Sequence, residues 1–176
     1  MLKSLLAMLL TLTITISEHV HSADPPHNQH PTASLYARAL LVGLQLGAQI
    51  TADEGKSPQS VANCMQALSP SSLTDVVEAV LVNNLTQAEL KTSDAFYRTT
   101  PGRKEATVGV LDAYTANGKT PPEDYPEISD AEYNEVDRFR NSAVGKKLWK
   151  VLESDSARRA FATRFRALGK SCGANW

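Results

Sequence analysis

Histidine is missing from almost the whole of this chain, and cysteine is nearly so. The four histidines, His19, His21, His27 and His30, all lie ahead of the segments with enough apolar content to build a core. That distribution removes Ser-His-Asp and Cys-His nucleophile activation and the usual zinc sites, each of which needs a histidine positioned by the fold. His27-x-x-His30, flanked by prolines, reads as a pair of solvated tail side chains. Glycine-rich phosphate loops and dinucleotide fingerprints are absent too. No catalytic group, metal site or cofactor is therefore expected. Stretches alternating apolar and polar residues over strand length are lacking, which points away from a sheet. With 18 Lys and Arg against 19 Asp and Glu, no global attraction to nucleic acid follows.

The longest apolar run, Leu5 to Ile16, is too short to cross a bilayer as a mature helix. It follows Lys3 and precedes polar Ser17, Glu18 and His19, the order of a secretory signal peptide, with cleavage expected after Ser22. The expected organisation is a signal peptide over 1–22, a flexible mature N-terminus over 23–32, and one domain over 33–176. In a cell with an outer membrane the destination is the periplasm, with no stable membrane insertion. Cys64 and Cys172 would then pair as a structural disulfide closing a loop of more than a hundred residues. Chain-entropy arguments credit such a loop with about 4 to 5 kcal/mol.

The chain does contain a repeat. Leu85-Thr-Gln-Ala-Glu-Leu, running through Phe96-Tyr97 to Gly102-Arg103-Lys104, recurs as Ile128-Ser-Asp-Ala-Glu-Tyr, through Phe139, to Gly145-Lys146-Lys147. Thr86-x-x-Glu89 and Ser129-x-x-Glu132 are capping boxes, so each copy starts a helix. Phe96 and Phe139 fall late in those helices as packing anchors. Thr100-Pro101 and Ser142 read as starts of following helices, and Gly102 and Gly145 permit close backbone approach at the corner. Each copy, near 85–117 and 128–155, thus predicts helix, tight corner, helix.

Elsewhere Leu35, Leu40, Leu41, Leu44, Leu46 and Ile50 predict a helix apolar nearly all round, from Ala33 to about Thr51, and buried. Short helices follow Pro58 and Ser71, and an amphipathic one runs from about Ser156 to Lys170. The fold class is all-α, a single-domain bundle of about six to eight helices. Between the repeats, Gly118-Lys-Thr-Pro-Pro-Glu-Asp-Tyr-Pro-Glu127 is too proline-rich for a helix and stiff enough to project. Glu123, Asp124 and Tyr125 there are candidate contact residues. Arg103, Lys104, Lys146 and Lys147 form a second candidate surface, because capping and packing do not account for them. Residues 141–176 are basic throughout, which a solvated pair of helix faces also explains. Carboxylate chemistry would have to use Glu89 with Glu132, or Asp94 with Asp137; capping accounts for the glutamates, and the aspartates are expected to face solvent.

The capped E-L or E-Y helix, the F-Y or F-R pair and the G-R-K or G-K-K corner resemble a bacterial exported, all-helical domain family of unknown function, over roughly residues 60 to 150. Glu89, Phe96, Tyr97, Gly102, Arg103 and Lys104 carry that resemblance. The second copy departs at Arg140, where Tyr would be usual. More loosely, a small exported helical protein with a cysteine pair and a projecting loop is similar to the immunity proteins that neutralise type VI secretion peptidoglycan amidases. The lack of catalytic groups and the stiff acidic-aromatic loop point to a non-catalytic binding protein whose partner is another envelope or secreted protein, and the second resemblance implies a cell-wall amidase effector as that partner. A carboxylate-dependent envelope hydrolase, or a general envelope housekeeping protein, is the alternative.

Overall fold

A computed structural model describes residues 30–174; the expected signal peptide, its cleavage site, His19, His21 and His27 lie outside them. The described chain forms α1 (Pro31–Asp53), α2 (Gln59–Gln66), α3 (Ser71–Asn84), α4 (Gln87–Arg98), α5 (Thr100–Ala116), α6 (Asp130–Asn141), α7 (Ala143–Leu152) and α8 (Asp155–Ser171). The protein is an all-α bundle, with no strand among the described residues.

Helix α1 starts at Pro31, whose fixed φ suits a first helical turn and whose missing N–H would be unsatisfied there anyway. Residues 30–32, expected to be part of a flexible N-terminus, belong to the fold instead: Thr32 is buried and His30 is tied to Asp94. Ala33, Ala37 and Leu41, one helical turn apart, face α3, whose Leu73, Val77 and Leu81 are fully buried. Ala48 is buried against Val61 and Met65 of α2 as well, but α1 is not buried all round, since Leu40, Gly43, Leu44 and Gly47 line an open groove of about 830 Å³. Gln45 fastens α2 to α1 by donating to the carbonyls of Met65, Gln66 and Leu68 at 3.2 to 3.3 Å. Cys64 and Cys172 are disulfide-bonded, joining α2 to the residue that caps α8.

The two repeat copies, α4–α5 and α6–α7, are built alike and grip each other. Both capping boxes are formed, with Glu89 returning to Thr86 N at 2.7 Å and Glu132 to Ser129 N at 2.9 Å. At the first corner the cap is Thr99, one residue before the expected Thr100: its hydroxyl donates to Phe96 O at 2.7 Å and accepts from Gly102 N at 3.1 Å. Ser142 does the same with Phe139 O and Gly145 N. Ser154 repeats the device between α7 and α8, a third instance that the alignment of two copies did not reveal. Between the copies Phe96 and Phe139 stack face to face, ring centroids 3.9 Å apart and planes within 9°. Lys104 of the first copy reaches Glu132 of the second at 2.7 Å, and Lys147 of the second reaches Glu89 of the first at 2.7 Å. This reciprocity makes the pair a quasi-two-fold dimer within one chain, its axis passing through the phenylalanine stack.

Gly102 and Gly145 sit where a side chain would strike the carbonyls of Phe96 and Phe139. Gly102→Ala and Gly145→Ala are each expected to destabilise the protein by roughly 2–3 kcal/mol, since backbone must move to admit the methyl. Gly109→Ala, at a helical position with open space around it, should instead stabilise by about 0.5–1 kcal/mol. Urea midpoints of the three variants check the contrast.

Candidate functional site

A cavity of about 390 Å³ opens beside the quasi-two-fold axis, where α1 crosses the paired copies; Tyr36, Tyr97, Glu105, Ala106, Arg140 and Trp149 are among its lining residues. The repeat offset carries Tyr97 onto Arg140 and Ala106 onto Trp149, so the two copies furnish its walls with matched positions filled by different residues. Tyr36 of α1 closes one side. Its ring meets Tyr97 and Trp149 edge to face at 5.9 and 5.8 Å, and its hydroxyl lies 3.1 Å from that of Tyr97.

Glu105 sits in the cavity wall with only 6% of its surface exposed. Arg140 Nε donates to its Oε1 at 2.6 Å, while Oε2 is buried without a partner. Burial pushes the Glu105 carboxyl above its ordinary pKa, with the hydrogen bond from Arg140 pulling the other way. The same carboxylate raises Arg140. Burial lifts Tyr97 to about 12 and raises Tyr36 as well, so both remain neutral phenols. The cavity thus offers aromatic and aliphatic walls, a phenol pair and a buried carboxylate held by an exposed guanidinium. Apolar walls with a few convergent polar groups are the make-up of a cavity that can take up an aromatic or aliphatic group.

The 118–127 segment borders this cavity and is strapped down. Tyr125 donates its hydroxyl to Asp112, a lining residue, at 3.1 Å; Glu123 faces Arg38 on α1 at 3.9 Å, and Lys119 pairs with Asp53 at 3.1 Å. The expected projecting loop is instead held against α1 and α5, because its acidic and aromatic side chains find partners on both. Tyr125 still exposes 43% of its surface, and Asp124 is exposed.

The basic candidates divide. Lys104 and Lys147 form the ties between copies, which gives them the structural account that their sequence context lacks. Arg103 donates to the Arg98 carbonyl at its own corner, and Lys146 is exposed. Of the four, Lys104 also reaches the end of the loop, donating to the Glu127 carbonyl at 2.7 Å. Glu89 and Glu132 do not meet as acid and base; each is held by a lysine of the opposite copy. The Lys147 ammonium and the Thr86 amide hold Glu89 down to about 2, and Lys104 likewise lowers Glu132.

The aspartates depart from expectation on one side only. Asp137 is exposed and bonds Asn141, but Asp94 is buried at 5% exposure. Asp94 Oδ1 accepts from Thr32 N at 3.2 Å and Thr32 Oγ1 at 2.8 Å, and Oδ2 lies 2.6 Å from His30 Nδ1. It receives one of the unpaired amides at the start of α1, that of Thr32. His30 therefore belongs to the folded body, contrary to the reading of it as a tail residue. Sequence reasoning missed Glu105, Tyr36 and Trp149 altogether. The available signal was Arg140, where the second copy departs from the pattern that Tyr97 sets in the first.

The lowered pKa values of Glu89 and Glu132 have a definite sign. A carboxyl whose pKa falls on folding contributes stability above its ordinary value of 4.5 and loses it as pH falls below that value, for Glu89 down to about 2. Urea midpoints measured across that window are expected to drop less steeply for the Lys104→Met/Lys147→Met double variant than for the parent; an unchanged slope would remove the lysines from the account. Searches for kin give this site no precedent, as no protein family, no curated protein and no solved structure matches the chain.

Proposed function

We propose that this is a non-catalytic exported helical interaction protein, acting in the periplasm, whose partner is another envelope or secreted protein. The contact surface is the cavity between Tyr36, Arg140 and Trp149 together with its rim at Glu123, Asp124 and Tyr125. One observation carries the reading: an open aromatic cavity containing a buried carboxylate with an unused oxygen, bordered by a proline-stiffened segment already fixed in place. Pre-ordered segments lose little entropy on binding, and aromatic anchors in such cavities supply much of the energy of protein interfaces. Sequestration of Glu89 and Glu132 by lysines argues against a hydrolase that would use them. The resemblance to amidase immunity proteins makes a cell-wall amidase effector the first partner to try, with inhibition as the outcome sought.

The test uses the mature chain immobilised and exposed to an envelope extract and to purified peptidoglycan amidases. Ala106→Trp fills the cavity from a half-buried position, and Tyr125→Ala strips the rim. The expected result is a partner retained by the parent chain, lost from folded Ala106→Trp, and weakened about tenfold by Tyr125→Ala. Retention of the same partner by Ala106→Trp would remove the cavity from the account.

A further inference from the structure

The quasi-two-fold relation makes the molecule its own comparison. On α4, Leu90, Asp94 and Tyr97 lie on one helical face and are 4–5% exposed. Asp94 takes the start of α1 through Thr32, and Tyr97 meets Tyr36 four residues further along α1. The offset places Tyr133, Asp137 and Arg140 on the matching face of α6. There Tyr133 is 60% exposed, Asp137 and Arg140 are exposed, and α6 packs against α5 and α7 alone among its substantial contacts. The same operation carries Tyr97 and Trp149, the two rings that Tyr36 touches, onto Arg140 and Ala106 in the cavity wall.

We infer that the open face of α6 is a seat for a partner's helix N-terminus, held as α1 is held on α4. The partner segment carries a hydroxyl residue in its first turn, whose amide and hydroxyl bind Asp137, and an aromatic residue four positions later that enters the cavity beside Arg140. Charge fits this occupant. Asp130 and Asp137 lie exposed on α6 with Asn134 between them, and the start of a helix carries partial positive charge and unpaired N–H donors. The aromatic residue meets the guanidinium of Arg140 where Tyr36 meets a phenol, and the small Ala106 leaves space where the other copy has Trp149. Exposed Tyr133 supplies the apolar margin that Leu90 supplies on α4.

This inference rests on the cavity reading and names the class of partner. Its test is binding of a labelled synthetic peptide spanning His30–Leu46 of this chain, which carries Thr32 and Tyr36 in the required register, to the full mature protein. The intact protein's own α1 is tethered and outcompetes the peptide at its internal seat. Saturable binding is expected, weakened at least about tenfold by Asp137→Ala in the protein and similarly by Tyr36→Ala in the peptide. Asp137 is exposed, so circular dichroism and melting temperature of Asp137→Ala should match the parent. No binding at any soluble concentration, or equal binding to Asp137→Ala, would overturn the inference. If Ala106→Trp nevertheless loses its envelope partner, the cavity reading stands and only the helix class is wrong.

Discussion

Two phenylalanine rings lying flat on each other set the geometry from which the rest of this protein follows. Phe96 and Phe139 can approach to 3.9 Å only because each ends a helix whose corner contains a glycine, so that the following helix turns back over the Phe96 or Phe139 carbonyl. A threonine or serine hydroxyl at each corner then satisfies both that carbonyl and the unpaired amide of the next helix's third residue, Gly102 or Gly145. Each capping glutamate does two jobs. It closes its own helix start, and it receives a lysine from the other copy. Local signals and the pairing of copies therefore agree, which is what a sequence specifying one structure requires. The aromatic stack itself contributes about 0.5–1.5 kcal/mol beyond the area it buries; its larger effect is to fix which faces of the copies meet.

Symmetry of this kind leaves a question that α1 answers only once. One helix crosses two equivalent units, and it lands on the first. Asp94 and Tyr97 are buried by that choice, while Asp137 and Arg140 remain exposed at the matching positions. Arg140 bends back to Glu105, and the space next to it stays open as the cavity. The candidate site is thus a consequence of placing one α1 on a two-fold frame. That origin accounts for its mixed lining, with one phenol from α1 and one from the first copy facing a guanidinium and an indole from the second.

The parts of the fold that depend on neighbours in sequence were legible before the structure. Capping boxes at Thr86 and Ser129, the glycine corners and the helical character throughout need only a few adjacent residues, and the cysteine pairing needed only parity and compartment. The site needed distances across the chain. Nothing near Glu105 announces that Arg140 will cover it, and Tyr36 sits in a segment whose apolar richness masks which side faces inward. His30 and Asp94 were misjudged because a proline-flanked histidine and a mid-helix aspartate both look solvated until a helix start is docked between them. Lys104 and Lys147 appeared unaccounted for because their partners lie in the other copy.

The central claim is that the two copies form one body around the Phe96–Phe139 stack, with the site as a property of that body. Native-state hydrogen exchange on Phe139→Ala tests it most directly, since local opening energies report which helices unfold together. The account predicts that amides of α4, α5, α6 and α7 lose protection together and by similar amounts. Loss confined to α6 and α7, with α4 and α5 still protected as in the parent, would contradict it.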